Sequence, residues 1–401
     1  MLDETLFLLL FAVVILLGYL GHMFFDKTKI PHFLLLIFIG VILNVFNLLD
    51  KDFLIPIVGL FSTLTLIMVT FYSGLNLNIY DIIYQSGRAF AQSFIYIITS
   101  VILIGLTAHY ILRWDLLESM IFSSMTGGEV TAAVIIPLAF SLSVNDKVRA
   151  ILTLETAIST IMTIILFFMF LNQWLAGSTE FYSILSAIIG NFTIALFVGG
   201  ILSIITIKIL HRFRKREYAY VLTIGMLLLI YTIVKMLGGN GELAALILGL
   251  MLSNYKLVSK ALNIESSLNL SLLIYKLDEI QNEISFLFET LFFVFLGMVF
   301  TINIDTIMEN LFIALIFTLI LIITRYFAVS LANKGSEVYG DRMTITILCA
   351  QGIVPASLSI YLLRYNLPLK YTFMTLITCI IILTNLVTTI GVWLIGRVDN
   401  R

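Results

Sequence analysis

The stretch 121–137, Ile-Phe-Ser-Ser-Met-Thr-Gly-Gly-Glu-Val-Thr-Ala-Ala-Val-Ile-Ile-Pro, decides the fold of this chain. Most of it is apolar, but a glycine pair, one glutamate and one proline interrupt it. Glycine and proline disfavour a regular helix, and a carboxylate in an apolar segment is costly. Such a stretch is typical of an interrupted helix that crosses a membrane and carries an ionisable group at mid-depth.

The composition of the whole chain agrees with this interpretation. Of its 401 residues, 60% are hydrophobic and 12% are charged, and the mean hydropathy is +1.08. A soluble domain usually carries about 25% charged residues, so a soluble globular fold is excluded. Apolar segments recur at the length that a membrane-spanning helix needs. They are apolar on all sides, which predicts helices rather than the strands of a barrel.

We predict an all-α polytopic membrane protein whose residues 1–401 form a single transmembrane domain of thirteen helices. The longest loop, 255–282, is amphipathic and is predicted to lie along the membrane surface. The predicted spans are 5–25, 31–49, 55–77, 88–112, 116–142, 147–171, 181–210, 217–237, 240–254, 283–302, 306–332, 343–363 and 370–395.

The distribution of positive charge predicts the orientation in the cell membrane. With the N-terminus outside, seventeen of the 23 Lys and Arg residues fall on the cytoplasmic side and five on the outer side. The positive-inside rule therefore predicts an external N-terminus and a cytoplasmic C-terminus.

The thirteen spans can be divided into two inverted six-helix repeats joined by span 7. Gly40 of span 2 and Gly249 of span 9 lie in similar apolar strings, and so do Gly74 of span 3 and Gly297 of span 10. Spans 5 and 12 both combine glycine and proline, and paired interrupted helices mark the midplane site of many transporters. The residues at these interruptions are Gly127, Gly128 and Pro137 in span 5 and Gln351, Gly352 and Pro355 in span 12.

Ionisable residues within the spans are candidates for function. Glu155 of span 6 and Arg325 of span 11 are expected to form a structural ion pair, because an unpaired buried charge is costly. Direct ion binding by Glu155 is the alternative. Glu289 and Glu242 are interpreted as residues at the ends of their spans. Glu129 of span 5 has no second basic residue available to neutralise it.

Glu129 is therefore the candidate exchanging carboxylate. A buried carboxyl without a cationic partner can hold a proton and release it when a metal cation competes. Hydroxyl oxygens would complete a site for a hard cation, although hydrogen bonds between helices are the alternative role for them. The candidate ion- and proton-binding residues are Glu129, Thr126, Thr131, Ser159 and Thr160, with a monovalent cation at Glu129, Thr131 and Ser159.

Other classes of function lack a signature. The chain has no phosphate loop, nucleophile elbow or zinc-binding spacing, so we predict no enzyme activity, no catalytic residues and no cofactor. A net charge of −1 gives no indication of a nucleic-acid partner. Both cysteines, Cys349 and Cys379, fall in apolar segments and are predicted to be free thiols.

Several strings then resemble a known family in their order and spacing. They are 218–223 (Tyr-Ala-Tyr-Val-Leu-Thr), 237–245 (Leu-Gly-Gly-Asn-Gly-Glu-Leu-Ala-Ala), 292–297 (Phe-Phe-Val-Phe-Leu-Gly), 324–326 (Thr-Arg-Tyr) and 352–356 (Gly-Ile-Val-Pro-Ala). Over the whole chain they resemble the sodium/proton exchanger branch of the monovalent cation:proton antiporter superfamily, of the prokaryotic Na⁺/H⁺ antiporter type.

The resemblance implies a homodimer in the lipid bilayer. Residues 1–77 and 217–302 would form the dimerisation side, and residues 88–171 and 306–395 the ion-translocating core. Broken helices 5 and 12 would cross within that core, which would move like an elevator.

The chain departs from the family pattern at the site itself. The family's helix 6 usually reads Glu-Ser-x-x-Asn-Asp, its helix 5 contains Thr-Asp-Pro, and its helix 12 contains Arg-Gly. Glu155 matches the glutamate, and Arg325 matches the arginine that usually pairs with it. The departures are Ser159-Thr160 in place of Asn-Asp, Thr131 in place of the aspartate when Pro137 anchors the comparison, and Gln351 in place of the arginine.

Two functions follow from this pattern. The first is secondary antiport of Na⁺ or K⁺ against H⁺, serving pH homeostasis, which one carboxylate would make electroneutral. The alternative is a transport-silent membrane sensor or scaffold that keeps the antiporter fold. A gated channel is disfavoured, because no selectivity-filter motif is present.

Overall fold

The computed structural model describes residues 4–28, 30–45, 51–77, 79–142, 144–177, 181–213, 219–261, 268–300 and 304–399, and every regular element in these ranges is helical. The prediction of an all-α protein is confirmed for this part of the chain. The predicted span ends 46–49, 217–218 and 301–302 lie outside the described residues. The helices are α1 (Glu4–Thr28), α2 (His32–Val45), α3 (Lys51–Leu75), α4 (Ile79–Tyr110), α5 (Leu116–Thr126), α6 (Ala132–Ser141), α7 (Asp146–Ala176), α8 (Phe181–Phe213), α9 (Ala219–Met236), α10 (Gly241–Ser253), α11 (Tyr255–Ala261), α12 (Leu268–Val299), α13 (Ile304–Ala332), α14 (Arg342–Ile347), α15 (Ile353–Leu362) and α16 (Lys370–Asp399), with a 3-10 helix at Glu337–Asp341.

Eight of the described helices contain segments long and apolar enough to cross a membrane. They are Pro56–Leu75, Gly87–Tyr110, Asp146–Ala176, Ile189–Arg212, Ala219–Met236, Glu279–Val299, Ile307–Ala332 and Lys370–Ile395. Four shorter apolar helices are Phe11–Phe25, His32–Val45, Gly241–Ser253 and Ile353–Leu362. The predicted count of thirteen spans and the predicted orientation stay predictions.

The chain forms two compact units. The first contains Met1–Thr65, Gln85–Phe170 and Leu287–Arg401, and the second contains Leu66–Tyr84 and Leu171–Phe286. All the candidate site residues belong to the first unit. The predicted division into a dimerisation side and an ion-translocating core stays a prediction.

The segment 255–282 differs from its prediction as a single loop. Residues Tyr255–Ala261 form α11, and α12 already begins at Leu268. Residues 268–296 contain neither glycine nor proline, so nothing in them interrupts α12 as it continues beyond the predicted apolar span. Glu289 lies inside α12, within the apolar segment Glu279–Val299, and is buried, whereas the sequence analysis interpreted it as a residue at the end of its span.

Glycine pairs allow two close helix crossings, one in each unit. In the first unit, a Cβ at Gly40 of α2 would collide with the carbonyl oxygen of Val294 and would also meet the Cα of Gly297 in α12. In the second unit, a Cβ at Gly74 of α3 would collide with the carbonyl oxygen of Leu246, next to Gly249 of α10. Small residues at both positions let the two backbones approach closely, as is usual between membrane helices.

Candidate ion-binding site

The first break in the chain at the site separates α5 from α6. Gly127 caps the C-terminus of α5, and Gly128 has φ = +86°, a left-handed backbone that favours glycine. A Cβ at Gly128 would meet the backbone of Ile97 in α4 at 2.8 Å. Both the backbone angle and the closeness of α4 therefore require glycine, and the chain leaves α5 here and enters α6 after Thr131.

The second break separates α14 from α15. The helix α14 ends at Ile347, and residues 348–351 are not helical before Gly352 begins α15 as its N-cap residue. Pro355 is the third residue of α15, where a missing N–H costs no helical hydrogen bond. Pro137 lies inside α6, so neither proline forms a break, and the glycines carry that role.

The two breaks are hydrogen-bonded to each other. The Thr131 N–H donates to the Ala350 carbonyl at 2.9 Å, and the side-chain amide of Gln351 donates to the Thr126 carbonyl. A Cβ on Gly352 would lie 2.7 Å from the Thr131 hydroxyl oxygen. Spans 5 and 12 therefore meet where each is unwound, and free backbone groups of one break are satisfied by the other.

Glu129 lies in this crossing with its side chain only 1% exposed. Its Oε2 accepts a hydrogen bond of 3.3 Å from the N–H of Gly352, at the N-terminus of α15. A helix N-terminus is a favourable place for a negative charge. Within the described ranges, Glu129 forms no ion pair with a Lys, Arg or His.

Glu155 is buried in a different way. Arg325 Nη1 and Nη2 donate to its two carboxylate oxygens at 2.8 and 3.0 Å, and both side chains are fully buried. Arg325 Nε donates to the Ile345 carbonyl at 3.0 Å, and its guanidinium lies 5.2 Å from the centroid of the Tyr96 ring. The guanidinium of α13 thereby connects α7, α14 and α4. The structure brings together the two residues that the sequence analysis paired.

The hydroxyl residues expected around Glu129 are buried, and the hydroxyls of Ser159 and Thr126 form hydrogen bonds with the backbone of the protein itself. The Ser159 hydroxyl accepts from the Val130 N–H at 3.3 Å and donates to the Thr156 carbonyl at 3.1 Å. The Thr126 hydroxyl donates to the Phe122 carbonyl at 3.3 Å. Ser159 thus holds the residue after Glu129 in place, and Thr160 is buried as well.

Helix α16 contributes polar residues that the sequence analysis missed. The Thr384 hydroxyl accepts from the Gln351 N–H at 3.3 Å, and the Asn385 side-chain amide donates to the Gln351 carbonyl at 2.7 Å. A signal was available in the sequence, because Thr384, Asn385, Thr388 and Thr389 are spaced on one side of an otherwise apolar helix. Tyr96, beside Arg325, was missed as well.

The chemistry of the site follows from its ligand atoms. It offers one carboxylate, amide and hydroxyl oxygens and unwound backbone, which suit a hard monovalent cation or a proton. In the part of the chain that the structure describes, no three His, Cys, Asp or Glu side chains converge as a transition-metal site would need.

A family model and two solved structures of a sodium proton antiporter match this chain. A family model described as the transmembrane sodium/hydrogen exchanger matches residues 12–396. A solved structure of the sodium proton antiporter MjNhaP1 from Methanocaldococcus jannaschii at pH 8 has a TM-score of 0.79 at 19% identity, covering 94% of this chain and 95% of that one. A second structure of MjNhaP1, from electron microscopy, has a TM-score of 0.76 at 19% identity, covering 97% and 95%. At 19% identity, these structural matches show that the fold is shared, and nothing more. No curated protein sequence matches the chain.

Proposed function

Because the chain belongs to the sodium/hydrogen exchanger family, we propose that it exchanges Na⁺ or K⁺ for H⁺ electroneutrally and that Glu129 carries either the proton or the cation. The family assignment makes the chain an integral membrane transporter for cation/proton antiport and not an enzyme. Beyond the family assignment, we propose that Glu129 is the exchanging residue, that the cation is Na⁺ or K⁺, and that the exchange moves no net charge.

The contrast between the buried glutamates carries this proposal. Glu155 has a permanent cationic partner in Arg325, whereas Glu129 has only the Gly352 N–H among its described polar contacts. A buried carboxylate without a neutralising charge is costly, and either a proton or a metal cation removes that cost. A proton on an oxygen prevents the same carboxylate from binding a cation well, so the two ligands compete for one site.

The charge balance of the exchange follows from assigning the exchange to Glu129 alone. The family's usual Asn-Asp pair is replaced by Ser159-Thr160, and the usual arginine of span 12 by Gln351. A single exchanging carboxylate, Glu129, carries one proton in one direction or one monovalent cation in the other, and the two loaded states have equal charge. We therefore expect one cation to be exchanged for one proton, with no net current.

We also propose that the chain contains two inverted repeats and forms a homodimer. Under an inverted repeat, the crossing of spans 2 and 10 would correspond to the crossing of spans 9 and 3. The Gly40–Gly297 and Gly74–Gly249 contacts form such a corresponding pair, which supports the repeat. A homodimer and an elevator movement of the core remain proposals that the family resemblance supports.

Proton flux in reconstituted vesicles tests the proposal. Purified protein is reconstituted into liposomes that contain a pH dye, and outward or inward gradients of Na⁺, K⁺ or Li⁺ are applied. We expect cation-driven proton flux that Glu129→Gln reduces to background. Glu118→Gln is the matched control, because Glu118 belongs to the same helix α5 but lies in its first turn and is partly exposed.

Different results would count against the residue, against the charge balance or against transport itself. Flux that survives Glu129→Gln would remove Glu129 from its role and leave the antiport activity standing. A flux that changes the membrane potential would contradict electroneutrality. A well-folded protein that shows no flux with any of the three cations would favour the transport-silent sensor or scaffold.

A further inference from the structure

Two buried side-chain oxygens at the crossing lack a hydrogen-bond donor. They are Oε1 of Gln351 and Oδ1 of Asn385, and within the described residues neither has a partner although both side chains are fully buried. Buried polar atoms in native proteins are nearly always satisfied, so each such atom requires a physical reason.

The orientation of both amides is fixed by what their nitrogens contact. The Gln351 NH₂ donates to the Thr126 carbonyl, and the Asn385 NH₂ donates to the carbonyls of Gln351 and Ile381, each at 2.7 Å. Rotating either amide by half a turn would place its oxygen against a carbonyl oxygen. The two unsatisfied atoms are therefore acceptor oxygens, and each of them lacks a donor or a cation.

These two acceptors belong to the same cluster as Glu129. The Gln351 carbonyl accepts from Asn385, and the next N–H along the chain, that of Gly352, donates to the Glu129 carboxylate. The Gln351 side chain reaches the C-terminal carbonyl of α5, the negative end of that helix. One carboxylate and two neutral carbonyl-type oxygens are thus gathered around residues 351–352.

We propose that Gln351 Oε1 and Asn385 Oδ1 are ligands of the transported monovalent cation beside Glu129. This inference rests on the proposed function, since it assigns the oxygens that replace part of the water shell of a dehydrated alkali cation. Neutral amide oxygens suit such a cation, because they bind it without adding charge. They fit the role better than the Ser159 hydroxyl, which already accepts from Val130.

The competing explanation is that both amides only hold the two breaks together. A structural role predicts that removing the Asn385 amide lowers stability but leaves cation affinity intact. A ligand role predicts a higher apparent KM for the cation and a weaker stabilisation by it. The two roles therefore differ in cation dependence rather than in stability alone.

Asn333 provides a matched control for Asn385. Its amide is also fully buried, donates to Gln92 Oε1 at 2.8 Å and to the Val329 carbonyl at 3.0 Å, and leaves Oδ1 without a described partner. It follows the end of α13, and no described hydrogen bond connects it to Glu129 or Gln351. Asn333→Leu thus removes the same groups as Asn385→Leu at a place outside the proposed cation site.

The experiment measures cation-driven proton flux and cation-induced thermal stabilisation in the same preparations. We expect Asn385→Leu to raise the apparent KM for the transported cation at least tenfold and to abolish the rise in Tm that the cation produces. Asn333→Leu should lose comparable Tm without cation but keep the wild-type KM. Gln351→Leu, which removes the other proposed ligand oxygen, should raise the apparent KM for the cation as well.

Each result has one meaning. A wild-type KM in a folded Asn385→Leu protein, or equal KM values for the Asn385 and Asn333 variants, overturns the inference. If Asn385→Leu does not fold, Gln351→Leu decides, and a wild-type KM in that protein overturns the inference. Flux that persists in Glu129→Gln would instead count against the proposed function, so the two failures can be told apart.

Discussion

Glu155 has a cationic partner within the protein, whereas Glu129 has none among the described residues. Both glutamates are buried in the first unit, and both lie next to broken or crossing helices. Glu155 is held by two charge-assisted hydrogen bonds from Arg325, whereas Glu129 accepts one backbone N–H. The first arrangement neutralises a buried charge within the protein, and in the proposed function a proton or a cation neutralises the second.

The comparison shows that burial alone does not identify a transport residue. A paired glutamate contributes to architecture, because its guanidinium partner also reaches the Ile345 carbonyl and stacks on Tyr96. An unpaired buried glutamate is a poor structural element, which is why we propose a binding role for Glu129.

The largest effect is expected when the Glu155–Arg325 pair loses one member. Arg325→Met leaves a buried carboxylate without its partner, which costs about 3–5 kcal/mol for a buried pair. Replacing both, in Glu155→Leu/Arg325→Met, should recover most of that loss. Thermal unfolding in detergent of the wild type, both single variants and the double variant measures the coupling. If the costs of the two single changes simply add in the double variant, the residues are not coupled.

A smaller effect is expected when the turn that presents Glu129 is distorted. Gly128→Ala places a Cβ on a residue with φ = +86° and against the backbone of Ile97, and left-handed strain alone costs about 1–3 kcal/mol. Stability should fall, and cation-driven flux should fall with it because Glu129 moves.

Gly238→Ala is the control for that change. Gly238 has nearly the same backbone angle, φ = +81°, but no atom lies near its Cβ position. It should show the strain without the loss of flux. Equal flux in the Gly128 and Gly238 variants would contradict the account of the first break.

The smallest effect is expected at an exposed ion pair, which sharpens the contrast with the buried one. Lys147 Nζ lies 2.7 Å from Glu337 Oε2, and the hydrogen bond and charge of Lys147 hold the pKa of that carboxyl below its usual value. A lowered folded-state pKa gives stability that is present above the unfolded pKa and is lost as the pH falls through the folded pKa. Glu337→Gln should lower Tm slightly at pH 7, and the difference should vanish in acid and in high salt. A difference that persists in high salt would show that more than the exposed pair was lost.

The sequence predicted those features that depend on residue type within one segment. The glycine pair predicted the break between α5 and α6, and the two lone opposite charges in spans 6 and 11 predicted the contact between Glu155 and Arg325. The length of α12 was missed, because hydrophobicity marks the end of a span and not the end of a helix.

The contacts that complete the candidate site could not be predicted from local patterns. Gln351 contacts Thr126, 225 positions earlier in the chain, and Gly352 contacts Glu129, 223 positions earlier. Such pairings depend on how two unwound segments cross, which the composition of neither segment specifies. The polar side of α16 was visible in the sequence, but the contact between the Asn385 amide and the Gln351 carbonyl was not, because an amide has no local signature of its partner.

The most direct test of the central claim is the release of protons when a cation is added to purified protein in a weakly buffered detergent solution. If a proton and a cation compete for Glu129, saturating Na⁺ or K⁺ should release up to about one proton per protomer from the wild type and none from Glu129→Gln. Unchanged release from Glu129→Gln would show that another group exchanges the proton, and the contrast between the two glutamates would then not explain transport.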